Sequence, residues 1–229
     1  LICDEVYHNI VYNNHSCPAL AEMIGDVPGI AMKSMSKELP WPGARCGWIE
    51  VYNRTSDSSF EKYINSILNA KMLEVCSTTL PQVVLPEIIS HHEYESFLAE
   101  RVARYEQYAN ISYEVFRETE GLLINPSNGA FYTTVVFEKE KLAPQQTLPI
   151  ANDRIRNHIE QLCSQPGTSP DTRFTYYLLG ATGICVVPLS AFNTDLQGFR
   201  ITLLENDRDR FQEMITTIRR AITTYLSSA

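Results

Sequence analysis

The sequence predicts an α/β protein, and three observations carry that prediction. Leu1-Ile2-Cys3 is an apolar run that turns acidic at Asp4-Glu5. It reads as the end of a buried parallel strand opening into the crevice where α/β proteins bind ligands. Gly29 to Ser34 and Arg45 to Tyr52 read as two further short strands, joined by a Pro/Gly-rich turn. Beyond them, apolar residues recur at helical spacing in long stretches, broken by short β-branched and aromatic runs.

Each element has its own signature. Val11 to Asp26 is loop and short helix, with Asn13-Asn14-His15 as a turn signal. Phe60, Tyr63, Ile64, Ile67, Leu68 and Met72 set a helical period over 60–75. Ser77-Thr78 is placed to cap a helix over 83–90. A long charged helix over 97–119 buries a stripe including Leu98, Val102, Tyr105, Tyr108 and Phe116, and stops at Gly121. Strands follow at 122–124 and 129–137, helices at 152–163 and 173–182, and strands at 184–188 and 198–203. A final amphipathic helix runs from Arg208 to Leu226.

Composition excludes several classes of function. The chain has 229 residues, 44% hydrophobic and 20% charged, as globular domains do. Its formal charge of −8 argues against nucleic acid as a partner, which needs a basic footprint. No apolar run approaches the roughly 20 residues that cross a bilayer. The six cysteines are scattered, without Cys-x-x-Cys or zinc spacing, and read as buried free thiols in a reducing compartment. A cytoplasmic location is therefore expected, with mitochondria left open. His91-His92 resembles a metal clip, but adjacent histidines face apart on a helix, so no metal is expected. Because the chain opens on an apolar run with no Met or polar lead-in, its true N-terminus is expected to lie upstream.

Chemistry concentrates in Ser34-Met35-Ser36-Lys37-Glu38 and the turn that ends at Arg45. A lysine condenses with an aldehyde when neighbouring charge and partial burial lower its pKa. A guanidinium beside hydroxyls suits phosphate, whose oxygens it meets in pairs. An aldehyde carrying a phosphate is pyridoxal phosphate. The plainer reading is a basic turn between two strands. Asp4 and Tyr7 add a carboxylate for a protonated ring nitrogen and a phenol for a ring oxygen, unless they are merely a solvated strand end.

These residues resemble the class I/II aminotransferase group of fold-type I pyridoxal-phosphate enzymes. The family carries Ser-x-Ser/Ala-Lys and, eight residues after the lysine, a phosphate arginine in Gly-x-Arg-x-Gly; Ser34, Ser36, Lys37 and Arg45 keep that pattern. Its Asp-x-x-Tyr, about thirty residues earlier, is matched by Asp4 and Tyr7. Gly198-Phe199-Arg200-Ile201 resembles the strand bearing the arginine for the substrate α-carboxylate. Read without the family, Arg200 is a strand arginine paired internally with Glu205 or Asp195. Asn125-Pro126 and Gly129 to Tyr132 also resemble a family strand. Pro188-Leu189-Ser190-Ala191-Phe192-Asn193 departs from the common Pro-Gly-x-x-Phe-Gly, which bears on the substrate-side loop.

The resemblance implies the C-terminal portion of the fold. Residues 1–96 would be the remainder of the large mixed-sheet cofactor domain, and 97–229 a linking helix with the small α+β domain. It implies transamination between an amino acid and a 2-oxo acid. Lys37 would hold pyridoxal 5′-phosphate, assisted by Asp4, Tyr7, Ser34, Ser36 and Arg45, and Arg200 would take the substrate carboxylate. It also implies a homodimer, with the Ser77-Thr78 loop at the interface. A chain lacking the family's upstream segments is expected to be inactive alone. Carbon–sulfur lyases and decarboxylases share the scaffold, as does the sensor domain of a class of transcription regulators. The segment 69–75 holds Lys71 beside Glu74 and no arginine, which predicts a neutral or aromatic donor rather than an acidic one.

Overall fold

A computed structural model describes residues 1–228. The chain forms two compact units, one of Leu1–Ala103 with Asn128–Ala130, the other of Arg104–Ser127 with Phe131–Ala229. The change of unit falls inside the long helix on which the sequence boundary at 96/97 was also placed.

In the first unit, β1 (Ile2–Asp4), β2 (Gly29–Ser34) and β3 (Gly47–Tyr52) form a sheet in that order. β1 lies parallel to β2, with Asp4 opposite Met32, and β3 returns antiparallel, with Gly47 opposite Ser34. The short α1 (Leu20–Met23) lies in the connection between β1 and β2. Three helices follow: α2 (Ser58–Met72), α3 (Thr79–Ile89) and α4 (Tyr94–Arg117). Asp57 starts α2 by accepting the Phe60 N–H at 2.7 Å, which satisfies one of the helix's open donors.

Several expectations shift. β1 pairs on one side only, and Leu1 and Ile2 are exposed rather than buried. β3 starts at Gly47, because Arg45 is left-handed (φ 48°) after the 3₁₀ turn Pro42–Ala44 and cannot extend a strand. α3 starts four residues before its expected first residue, and Thr78, at its N-cap, makes no side-chain capping bond. Cys46 and Cys163 are buried, but Cys17, Cys76 and Cys185 are exposed, so burial does not hold for all six thiols.

The second unit is built on an antiparallel sheet of β4 (Leu122–Ile124), β5 (Tyr132–Phe137), β7 (Gly198–Thr202) and β6 (Val187–Pro188), in that spatial order. Its helices are α5 (Asp153–Cys163), α6 (Pro170–Thr182) and α7 (Arg208–Leu226). β5 begins three residues later than expected, since Ala130 is left-handed (φ 57°). Phe174 packs against Phe137, Phe199 and Tyr225 with ring centroids 5.0, 5.6 and 5.2 Å apart. Each such fully buried side chain contributes about 1.5–3 kcal/mol. Gly198 lets β7 meet β5, because a Cβ there would stand 2.2 Å from the Val135 carbonyl oxygen.

Candidate active site

The strand directions gather one end of the first sheet into a cluster. β1 and β2 are parallel, so Asp4 and Ser34 emerge at the same end, and antiparallel β3 starts there too. Asp4 uses one carboxylate oxygen in its own turn, accepting the Val6 N–H at 3.1 Å. The turn carries Tyr7 towards Lys37, whose Nζ lies 5.5 Å from the centre of the phenol ring. Ser34 Oγ donates to Ser36 Oγ at 2.9 Å and accepts the Ser36 N–H at 3.0 Å. Both hydroxyls are thus held beside the lysine.

Alternation explains why this loop is fixed. Met35 and Leu39 turn inward to join Ala44 and Cys46 in a small core, with Trp48, Leu85, Ile88 and Tyr94 against it. Ser36, Lys37 and Glu38 are left half-buried. Met35 N–H donates to the Cys46 carbonyl at 3.2 Å, tying the lysine loop to the start of β3. Gly47 permits that approach, since a Cβ would meet the Lys33 carbonyl oxygen at 2.9 Å. Arg45 is exposed and folds back on its own turn, Nη1 donating to the Pro42 carbonyl at 2.9 Å. Its left-handed backbone costs on the order of 1 kcal/mol, strain of the kind that clusters at binding sites.

Lys33 is the rival lysine, and its surroundings differ. It faces the other side of β2 from Ser34, and its Nζ lies 3.4 Å from Glu5 and 3.5 Å from Glu50. Burial works to raise the Glu50 carboxyl, but hydrogen bonds from Tyr52 and Trp48 and the Lys33 charge bring it below its usual range. Glu50 in turn, by accepting the Tyr52 hydroxyl at 2.6 Å, pushes that phenol up to about 12. Lys33 is thus engaged by two carboxylates, although the buried Glu5 Oε2 accepts no hydrogen bond.

In the second unit, Arg200 lies on β7 between two aromatic rings. Its guanidinium carbon is 4.2 Å from the centre of Tyr132 and 4.3 Å from that of Phe192. The internal partners offered by the sequence are not used. Glu205 pairs with Arg210 at 3.4 Å, and among the described residues Arg200 joins no ion pair. The segment before Phe192 is fastened by Asp171, which is fully buried at the start of α6. Its Oδ1 accepts the hydroxyls of Ser169 and Ser190 and the Thr172 N–H at 2.6, 2.8 and 2.8 Å. Its Oδ2 accepts the N–H groups of Ser190 at 2.9 Å and Gly198 at 3.4 Å.

Residues 1–218 match the family described as aminotransferase class I and II. The chain belongs to the class I and II aminotransferase family. An uncharacterised aminotransferase of Methanocaldococcus jannaschii, MJ1479, is 46% identical over 228 residues, all of this chain and 52% of that protein. Alanine aminotransferase 1 of rat is 29% identical over 89% of this chain and 41% of its own length. Among solved structures of aminotransferases, the alanine aminotransferase of Pyrococcus furiosus superposes with a TM-score of 0.73 at 19% identity, covering 97% of this chain and 49% of that one. The tyrosine aminotransferase of Leishmania infantum gives 0.75 at 16%, covering 98% and 48%. These likenesses establish the fold, that of the fold-type I aminotransferases. The chain spans about half the length, or less, of the relatives it matches.

The family is one of pyridoxal-phosphate enzymes, and the donor set at the sheet end suits that group. An amine for the aldehyde, a guanidinium and two hydroxyls for the phosphate and a carboxylate for the ring nitrogen all come from one unit. The family pattern in the sequence picks out Asp4, Tyr7, Ser34, Ser36, Lys37, Arg45 and Arg200, but neither Glu38 nor Asp171. Asp171, in Ser169-Pro170-Asp171, has the look of an ordinary helix start.

Proposed function

We propose that the protein is a pyridoxal 5′-phosphate-dependent aminotransferase that moves an amino group between an amino acid and a 2-oxo acid. The observation that carries this reading is Lys37 set over the Tyr7 ring beside the paired hydroxyls of Ser34 and Ser36. Bound there, the cofactor supplies a sink for the negative charge that builds on the substrate α-carbon. Asp4, with one oxygen already turned to Val6, would offer the other to a ring N–H. Ser34, Ser36 and Arg45 would hold the phosphate. Lys37 would take the proton from the substrate α-carbon as base and deliver it as acid to the cofactor carbon that carried the aldehyde, the transfer that moves the amino group. Arg200, with the Tyr132 and Phe192 rings against its guanidinium, would take the α-carboxylate. The test is borohydride reduction of the whole protein with pyridoxal phosphate, followed by peptide mapping. Lys37 should carry the label; a label on Lys33 or Lys71 would overturn the assignment.

The preferred donor is a neutral or aromatic amino acid, with a 2-oxo acid such as 2-oxoglutarate or pyruvate as acceptor. Lys71, the cation in the segment where acid-specific relatives place an arginine, is paired with Glu74 and lies 3.1 Å from Ser77 Oγ. A lysine so engaged gives a side-chain carboxylate no bidentate fork. The alanine aminotransferases among the relatives favour a neutral donor within this class. In a donor panel on the whole protein at fixed acceptor, alanine or an aromatic amino acid should give the highest kcat/KM. Aspartate leading by more than about tenfold, or 1.4 kcal/mol of transition-state binding, would defeat this reading.

A further inference from the structure

We propose that Glu38 is a positioning residue that locks the Lys37 loop to the Asp4–Tyr7 loop. The inference rests on the role of Lys37 given above. The Glu38 carboxylate reaches across the end of the sheet to Asn9. Oε1 accepts the Asn9 N–H at 3.0 Å and Oε2 accepts Asn9 Nδ2 at 3.1 Å. Asn9 closes the same turn that carries Asp4 and Tyr7, where His8 N–H donates to the Glu5 carbonyl at 3.0 Å and Ile10 N–H to that of Tyr7 at 2.9 Å. One side chain thus clamps two loops that lie 29 residues apart.

A second anchor holds the backbone directly after the lysine side chain. Arg101 is 8% exposed, and its Nη1 donates to the Glu38 carbonyl while Nη2 lies 3.5 Å from that of Lys37. Burial, then the Glu38 charge, push the Tyr94 phenol up, which places that carboxylate beside α4 as well. With both carbonyls and the neighbouring side chain fixed, the lysine moves by its four-carbon stem alone. A proton carrier that must serve two atoms in turn gains from a fixed pivot.

If Glu38 acts by placement, an uncharged residue of the same shape should serve. Glu38→Gln keeps both contacts, because the Asn9 amide can turn over and accept from the new NH₂ group. Glu38→Ala loses both, and Asn9→Ala, at an exposed residue, loses the side-chain contact alone.

The experiment traps the whole protein and each of its variants with pyridoxal phosphate and borohydride, and maps every lysine. Reductive methylation without cofactor, followed lysine by lysine across pH, is the second readout. Trapping at Lys37 should fall about tenfold in Glu38→Ala and several-fold in Asn9→Ala, and stay within about twofold in Glu38→Gln, two hydrogen bonds being at stake. Methylation of Lys33, held by Glu5 and Glu50, should be unchanged, since general loosening would raise it together with Lys37. An Asn9→Ala chain that traps like the original overturns the proposal, as does a Glu38→Gln chain as poor as Glu38→Ala. If Glu38→Ala fails to fold, those two chains still decide. An unlabelled Lys37 in the original chain defeats the cofactor reading instead, so the two failures are distinct.

Discussion

Asp171 has no side-chain cation beside it at hydrogen-bond distance, yet it is fully buried, with two hydroxyls and three backbone N–H groups donating to it. A carboxylate buried this way is stable because its lone pairs are filled, and it holds together α6, the 3₁₀ turn Leu189–Phe192 and the first residue of β7. Arg200 and the Phe192 ring lie on the last two of these. Asn193, next in line, is left-handed (φ 54°) where many relatives have glycine, a conformation asparagine tolerates better than most residues. That accounts for asparagine at the second glycine of the Pro-Gly-x-x-Phe-Gly pattern, while Leu189 still departs at the first. Asp171→Ala should therefore strand the Ser190 and Gly198 N–H groups, Thr172 keeping Ser169 Oγ, and cost about 2 kcal/mol or more. Urea unfolding of the whole chain measures this, and a loss under about 1 kcal/mol would contradict the account.

The helix ends show which signals the sequence carries and which it lacks. Asn152 and Asp207 cap α5 and α7 through their side chains, and the helices start within a residue of expectation. α2 was expected to reach Val75 because Met72, Leu73 and Val75 continue an apolar pattern, yet the helix stops at Met72. Met72 and Val75 are 81% and 94% exposed, and Leu80 and Val83 on α3 are exposed too. Periodicity counts apolar residues without telling those that fill the unit's own core from those that do not. Exposed apolar residues of this kind suit a second copy of the chain, in line with the homodimer that the family resemblance implies. Val75→Asp should then lower the mass seen in sedimentation of the whole protein. A wild-type protein already monomeric, or an unchanged dimer in the variant, would refute it.

On the scale of the whole molecule, what was legible is what lies close in sequence. Lys37 with Ser34 and Arg45, and Asp4 with Tyr7, are short-range patterns that any reader of the chain meets together. The clamp of Glu38 is not, since its partner Asn9 is 29 residues away and Arg101 is 63 residues beyond. Nothing in the local spacing of either points to the other. The same holds for residues 128–130, of which 128 was expected to end a turn and 129 and 130 to begin a strand of the second unit. Instead they return to the first, where Tyr12 N–H donates to the Asn128 carbonyl at 3.0 Å and Ala130 N–H to that of Ile10 at 2.8 Å. The consequence lies in the order of synthesis. Once residue 103 has left the ribosome, the lysine loop, its clamp and the three strands are out, but residues 128–130, which belong with them, are not. Their contacts with Ile10 and Tyr12 wait for residue 130, by which time β4 of the second unit has already emerged.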